Sequence, residues 1–178
     1  GIVTATLLEQ QSGLSFVTEL NRLTSTASDE ITMKVSDTNL SIANFETLKT
    51  KTKINIALSG LEDTNANCMG NNFSKLKNAI TEHGNTGIPV KITTACSSED
   101  ANNLCNLTTG SVTASTAEEV STSISHDKMK SGDNITLNVS DDLLMATFKQ
   151  IQKDGTTVVI NGFNDSYNNL SQNSQRHF

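Results

Sequence analysis

The side chains best suited to chemistry in this chain are its three cysteines and three histidines, types that elsewhere bind metal ions or form nucleophile–base pairs. None of the histidines falls in an HExxH motif or in another recognised metal-binding spacing. Cys68 and His83 would be the candidates for a nucleophile and its base, but their spacing does not favour such a pair. The sequence therefore predicts no catalytic residue, no metal ligand and no bound cofactor. The six residues are Cys68, Cys96, Cys105, His83, His126 and His177.

Loops that hold nucleotides, phosphates or calcium are also missing from the sequence. No GxGxxG, GxxxxGKS/T, GxSxG or GGxGxD motif occurs. Pairs of acidic residues such as Asp141-Asp142 do occur, but most stand where a helix is predicted to begin, and there carboxylates cap free N–H groups. We predict that the protein is not an enzyme. The opposing hypothesis is an α/β enzyme with an unrecognised site.

The three cysteines leave two redox states open. An odd number of cysteines cannot pair completely within one chain. Cys96 and Cys105 flank a predicted helix and would lie about 13 Å apart along its axis if every residue between them were helical. That separation exceeds the reach of a disulfide. The sequence allows three reduced thiols, or a Cys96–Cys105 bridge across a shorter or frayed helix.

An internal repeat determines how these residues are positioned. Residues 29–63 and 133–165 follow the same pattern. Each begins with a short predicted strand in which apolar and polar residues alternate, followed by Ser-Asp, an amphipathic stretch, a polar turn and another predicted strand. Strand-like runs of this kind start at Ile2, Ile31, Ile54, Val90, Val112, Ile135 and Val158, so that successive starts lie 22 to 36 residues apart. This spacing is typical of repeats that each contain one strand and one helix.

Short strand–helix–strand connections predict a parallel sheet, because a helical crossover returns the next strand in the same direction. We expect an α/β fold, a repetitive βα solenoid with six to seven short parallel strands, as a single domain over residues 1–178. An insertion is expected at about residues 62–72, and a polar C-terminal tail at about 164–178. The alternative is a compact, doubly wound α/β domain. The alternation along the strands favours the solenoid, since fully buried parallel strands read as continuous apolar runs.

Helix positions follow from apolar stripes and from capping residues. Leu144, Phe148 and Ile151 form one such stripe. We expect helices to begin at Ser36-Asp37, at Ser140-Asp141, at residues 97–100 and at residues 115–119, because each offers side-chain oxygens to free backbone N–H groups.

Composition narrows the class of partner. The net charge is −6 and the lysines are scattered, which argues against nucleic-acid binding. No apolar run approaches the ~20 residues that a membrane-spanning helix needs, so we predict no membrane insertion.

The outward positions of the predicted strands would form a polar surface, called here the polar strand face. Successive strand residues point to opposite sides of a sheet, so if Ile31, Met33 and Val35 point inward, Thr32 and Lys34 point outward. Repeat proteins commonly bind partners on such a face. The candidate binding residues are Thr32, Lys34, Asn55, Lys91, Thr93, Thr113, Ser115, Thr136, Asn138 and Asn161.

Three segments carry a resemblance to a known class of repeat: VSDTNLSIANFETL, TTGSVTASTAEEV and NITLNVSDDLLMATFKQI. They resemble units of large secreted bacterial surface proteins, namely S-layer proteins, adhesins and RTX-type chains. The resemblance implies a structural or adhesive module, extracellular or at the cell surface, that binds a protein or glycan and has a capacity for self-association.

The sequence therefore predicts a non-enzymatic module of a bacterial surface or secreted protein, acting in surface assembly, adhesion or protein binding. The alternative is a bacterial effector or toxin domain whose repeat surface binds a host protein.

Overall fold

In a computed structural model of the chain, residues 4–6, 18–19, 24, 27–152 and 155–166 are described. The strands in these residues are β1 (Thr4–Thr6), β2 (Glu30–Val35), β3 (Ile56–Leu58), β4 (Leu61–Asp63), β5 (Val90–Ile92), β6 (Val112–Glu119), β7 (Asn134–Val139) and β8 (Thr156–Ile160). The helices are α1 (Ile42–Lys49), α2 (Asn65–Cys68), α3 (Phe73–Lys77), α4 (Ser98–Leu107) and α5 (Met145–Ile151), with a wider helical turn at Asn78–Glu82 after α3.

The strands pair in parallel and in the order in which they occur along the chain. β1, β2 and β3 form one sheet, and β4 to β8 form a five-stranded parallel sheet. The predicted α/β class and the parallel pairing are confirmed. β4 was not predicted, because Leu61 is its single inward apolar residue and leaves no alternation to read. The predicted insertion contributes the end of β4 and all of α2.

Two compact units are distinguished along the chain. Unit 1 comprises residues 1–94 and 107–111, and unit 2 comprises residues 95–106 and 112–178. The large buried side chains of unit 1 are Phe45, Met33, Leu40, Leu48, Ile56, Leu61, Leu76 and Ile80. Those of unit 2 include Leu104, Ile135, Leu137 and Leu143. Residues 167–178, most of the predicted tail, lie outside the described residues.

Inward and outward residues alternate along the strands as predicted. In β2 the residues Ile31, Met33 and Val35 are buried, while Thr32 and Lys34 are exposed. The same alternation buries both ends of β3 and of β5 and exposes the residue between them. One face of each of these strands therefore packs on the core, and the other face is exposed, with polar residues on β2 and β5 and Ala57 on β3.

Five acidic residues, called here the repeat carboxylates, each link two segments of the chain. Each accepts a hydrogen bond from a backbone N–H group 20 or 21 residues earlier. In four of them the donor is the first residue of a helix, which for Ser121 is the short 3-10 helix Ser121–Ser123, and there N–H groups have no intrahelical acceptor. The five pairs are Asp63 with Ile42, Glu119 with Ser98, Asp133 with Val112, Asp141 with Ser121 and Asp165 with Met145.

The repeat carboxylates explain why two of the predicted helix starts are wrong. α1 begins at Ile42 with Ser41 as its N-cap, not at Ser36-Asp37. α5 begins at Met145 and not at Ser140-Asp141, and its first N–H donates to Asp165. The predicted stripe on this helix is shortened, because Leu144 precedes α5 and is exposed.

Asp141 accepts instead from the backbone N–H and the hydroxyl of Ser121, at 2.6 Å each. These hydrogen bonds hold the pKa of Asp141 below its ordinary value, because they stabilise the ionised form.

The helix start predicted at residues 115–119 is also wrong, since these residues belong to β6. Ala114 and Thr116 alternate as buried residues along this strand, and Glu119 at its end accepts from Ser98. The start predicted at residues 97–100 is confirmed: α4 begins at Ser98, and the Ser97 hydroxyl accepts from the N–H of Asp100 at 3.0 Å.

Candidate functional site

In unit 2 the polar strand face is a set of cross-strand rows. Ser115, Thr136 and Thr157 lie opposite one another on β6, β7 and β8. Parallel strands are about 4.8 Å apart, so this row places three hydroxyl groups at regular short spacing. Ser115 and Thr157 are exposed and Thr136 is half-buried. The row offers hydrogen-bond donors and acceptors.

Two of the residues predicted to bind a partner on this face already form hydrogen bonds within the chain. Asn138 donates from its amide nitrogen to the Thr116 carbonyl oxygen at 2.6 Å and to the Ser115 hydroxyl at 3.3 Å. Asn161 lies just beyond β8 and donates to the Ser140 carbonyl oxygen at 2.9 Å. These side chains link segments 21 to 23 residues apart in sequence, so they stabilise the face more than they offer groups to a partner. Thr113, at the start of the face, is half-buried.

In unit 1 the polar strand face carries charges as well as hydroxyl groups. Thr32, Lys34, Asn55, Lys91 and Thr93 are all exposed. Asn55 immediately precedes β3, and Thr93 immediately follows β5.

Lys91 is paired with an acidic residue on this face. It lies opposite Glu62 in the β4–β5 ladder and forms an ion pair with it at 3.2 Å. Sequence reasoning missed Glu62 because its strand was not recognised. The register places Glu62 beside Lys91 on the polar strand face, where only Lys91 was predicted.

The three cysteines are free and buried, so Cys96 and Cys105 do not form the bridge that the sequence left open. Burial raises the pKa of Cys68 to about 12, with a smaller contribution from Asp63. Burial likewise raises the pKa of Cys96 to about 11 and that of Cys105 to about 12. The thiolate is the nucleophilic form of cysteine. At neutral pH these three groups are therefore packed thiols with little nucleophilic character.

His83 has a structural environment within unit 1. Its Nδ1 accepts from the backbone N–H of Ile56 at 3.4 Å, and its ring meets that of Phe45 edge to face with centroids 5.1 Å apart. Burial lowers the pKa of His83, and Lys49 lowers it further, against the opposing effects of two glutamates. The acceptor role of Nδ1 requires the neutral ring. His83 therefore supports the end of β3 in its uncharged form. The two glutamates are Glu82 and Glu46.

This environment makes the stability of unit 1 depend on pH. In the unfolded chain His83 takes up a proton near its ordinary pKa of 6.5, whereas in the folded chain it stays neutral to lower pH. The unfolded state then binds more protons, so stability falls as the pH is lowered below about 6.5. We expect the thermal midpoint to fall from about pH 7.5 to about pH 5.5, and the fall to be smaller in His83→Gln.

The control for this measurement is His126→Gln. His126 is half-buried and its Nδ1 lies 3.2 Å from the Ile124 carbonyl oxygen, in a local contact two residues away. The variant should keep the pH dependence of the wild type. An identical fall in all three proteins would show that His83 is not its source. His177, the third histidine, lies outside the described residues.

A cavity of about 200 Å³ lies between α1 and the segment from α2 to α3 in unit 1. Three of its four polar side chains already donate hydrogen bonds within unit 1, whereas Oε1 of the fourth, Glu46, has no hydrogen-bond partner. Asn67 donates to Asp63 at 2.7 Å, Asn72 donates to the Ala66 carbonyl oxygen, and Lys75 donates to Asn72. The cavity is therefore a weaker candidate for a binding site than the polar strand face.

Within the part of the chain that the structure describes, no three or more His, Cys, Asp or Glu side chains are placed to hold a metal ion. Over the same residues, the helices are too short and too polar to cross a membrane. Comparisons with protein-family models, with curated proteins and with solved structures find no match to this chain.

Proposed function

We propose that this chain is a non-enzymatic βα-repeat module of a bacterial surface or secreted protein, which binds a protein or glycan through the polar strand face. The observation that carries the proposal is the alternation on β2 and β5, which places apolar side chains in the core and leaves polar ones exposed. The residues best suited to nucleophilic chemistry, the cysteines, are buried thiols. What the chain offers to other molecules is thus a surface.

The finer fold that we propose is an open solenoid, with each repeat stacked on the preceding one. Consecutive strands are neighbours in both sheets. A doubly wound sheet instead reverses its strand order at a switch point. The repeat carboxylates support the same proposal, because each joins a repeat only to the one before it. Nearest-neighbour contacts of this kind are typical of solenoids, which use their extended faces for binding.

A charge reversal on the polar strand face tests the proposed function. Lys34 and Lys77 are exposed lysines of unit 1, on β2 and on α3 respectively. We expect Lys34→Glu to weaken binding of the labelled chain to intact bacterial cells or to purified cell-wall fragments by about fivefold, or about 1 kcal/mol. The matched control Lys77→Glu should bind as the wild type does, because it carries the same charge change off the strand face.

Two results would overturn this function. One is a folded wild-type chain that binds neither cells nor cell-wall fragments. The other is equal weakening by Lys34→Glu and Lys77→Glu, which would assign the binding to net charge and not to the strand face.

A further inference from the structure

The chain contains a single Asn-Gly pair, Asn161-Gly162, and this pair directly follows β8. In such a pair the backbone nitrogen of the glycine can attack the side-chain amide of the asparagine, because glycine has no Cβ atom to hinder the approach. Asn161 is exposed, so water reaches its side chain. The pair therefore brings together what spontaneous deamidation requires: an amide carbon, an unhindered nitrogen and water.

The side chain of Asn161 is also part of the fold of unit 2. Its Nδ2 donates to the Ser140 carbonyl oxygen at 2.9 Å, in an exposed hydrogen bond. Hydrogen bonds at exposed positions open easily by local fluctuation. Each opening frees the amide to turn towards the nitrogen of Gly162. Deamidation would replace this donor with a carboxylate, directly opposite a carbonyl oxygen.

The four residues that follow, called here the closing segment, are held by three hydrogen bonds within unit 2. The carbonyl oxygen of Gly162 accepts from the N–H of Leu143 at 3.0 Å, and the N–H of Asn164 donates to the Leu143 carbonyl oxygen at 2.9 Å. Asp165 accepts from the N–H of Met145, the first residue of α5, at 2.9 Å. A change in the backbone just before this segment therefore displaces its donors and acceptors together.

We propose that Asn161 deamidates spontaneously to a mixture of aspartate and isoaspartate, and that this conversion loosens the closing segment. The Gly162 nitrogen forms a bond to Cγ of Asn161, the bond from Cγ to Nδ2 breaks, and ammonia leaves with the proton of the Gly162 amide. Water then adds to one of the two carbonyl carbons of the cyclic imide. Opening at Cγ gives aspartate, and opening at the backbone carbonyl carbon gives isoaspartate. No oxidant or reductant takes part.

Both products remove a hydrogen bond and add a negative charge. The new carboxylate has no proton to donate to the Ser140 carbonyl oxygen, and the facing oxygens repel each other. Isoaspartate also lengthens the main chain by one carbon between β8 and the closing segment, which shifts this segment relative to Leu143 and Met145. The inference goes beyond the proposed function and does not depend on it, because it concerns the integrity of unit 2.

Peptide mapping by mass spectrometry after incubation at mildly alkaline pH tests the chemistry. We expect Asn161 to convert before the other asparagines, and Gly162→Ala to slow its conversion about tenfold, because a Cβ atom hinders the attack. This variant should fold, since the atom nearest to the new Cβ is Oδ1 of Asp142, at the end of an exposed side chain that can move. Asn164 is the internal control, because it is exposed and lies in the closing segment but does not precede a glycine. Equal rates of conversion at Asn161 and Asn164 would overturn the proposal.

Hydrogen exchange of the separated products tests the structural consequence. Ion-exchange chromatography isolates the deamidated chain by its added charge. We expect the amides of Leu143, Met145 and Asn164 to exchange about tenfold faster in the deamidated chain than in the intact one. The amide of Ile135, which donates to the Gly155 carbonyl oxygen at 3.0 Å, should keep its rate. Unchanged exchange at the first three amides, or an equal increase at Ile135, would overturn the loosening of the closing segment.

Discussion

Replacing Asp133 with alanine is expected to lower the free energy of unfolding by about 3–5 kcal/mol, the cost of breaking a buried charged group away from its partners. The Asp133 side chain is completely buried. It accepts from the N–H of Val112 at 2.8 Å and from the N–H of Lys130 at 2.9 Å. It also accepts from the Cys105 thiol and pairs with the Lys130 ammonium group, 3.4 Å away.

The physical reason for this large effect is that alanine removes the acceptor of the Val112 N–H, the Lys130 N–H and the Cys105 thiol, although the Lys130 ammonium group keeps the Cys105 carbonyl oxygen 3.4 Å away. Val112 and Cys105 are buried, so water does not replace the lost hydrogen bonds. Asp133→Asn should have a smaller effect, because its amide oxygen still accepts from Val112 while the charge opposite Lys130 is lost. This second variant also keeps the prediction testable if Asp133→Ala does not fold.

Urea unfolding followed by circular dichroism measures the difference. The control is Asp127→Ala, because Asp127 pairs with Lys128 at 2.9 Å but its side chain is 66% exposed. Exposed ion pairs add little to stability, so we expect the unfolding midpoint of this control to stay near that of the wild type. Equal midpoints for Asp133→Ala and Asp127→Ala would contradict the role given to the repeat carboxylates.

The second large effect is expected at Gly110. A Cβ atom at this position would overlap the carbonyl oxygen of Ile88 and lie 2.6 Å from that of Gly87. Both obstacles are backbone, which cannot move aside as a flexible side chain can. We expect Gly110→Ala to cost about 3 kcal/mol, at the upper end of the usual range for overpacking. Urea unfolding of unit 1 is again the measurement.

Gly87→Ala is the matched control for Gly110→Ala. A Cβ at Gly87 would meet nothing closer than the Thr109 hydroxyl, 3.8 Å away, and this distance is an ordinary contact. Alanine also restricts the unfolded chain, so the control should be neutral or slightly stabilising. Equal losses at the two glycines would show that chain flexibility, and not the close approach of Ile88, accounts for the effect.

The strands could be predicted from the sequence because their signal is local. In β2 and β7 apolar and polar residues alternate over six positions, and burial of one sheet face imposes that period. β4 escaped prediction because it is three residues long and its one buried residue, Leu61, follows a buried glycine. A strand this short is defined by its neighbour β5, and its own sequence shows no pattern.

Helix starts could not be predicted reliably, because their acceptors are distant in sequence. A capping pattern is read within three or four residues. Asp165 instead accepts a hydrogen bond from the N–H of Met145, 20 residues earlier, and Glu119 accepts one from the N–H of Ser98, 21 residues earlier. Ser140-Asp141 has the composition of a local cap, yet Asp141 accepts from the N–H of Ser121, 20 residues earlier. Glu119 and Asp141 were predicted to stand at the starts of helices that follow them, and they accept instead from Ser98 and Ser121, earlier in the chain.

The polar strand face could be predicted in outline from alternation alone. The groups that lie next to one another on this face depend on the register between strands. That register cannot be read from the sequence of one strand. Register places Glu62 opposite Lys91 and Thr157 opposite Thr136. Register also brings Asn138 next to Ser115 and the Thr116 carbonyl, to which its amide donates. Asn138 was predicted to contact a partner, but it is half-buried because of these hydrogen bonds.

The measurement that bears most directly on the repeat architecture is the pattern of cross-strand contacts in solution, from nuclear Overhauser effects. Consecutive parallel repeats predict that Thr136 contacts Ser115 on one side and Thr157 on the other, and that Leu137 lies opposite Val158. Such contacts, each 21 residues apart in sequence, would support the stacking on which the proposed function rests. A β7 whose neighbours are other strands, or whose contacts run antiparallel, would contradict it.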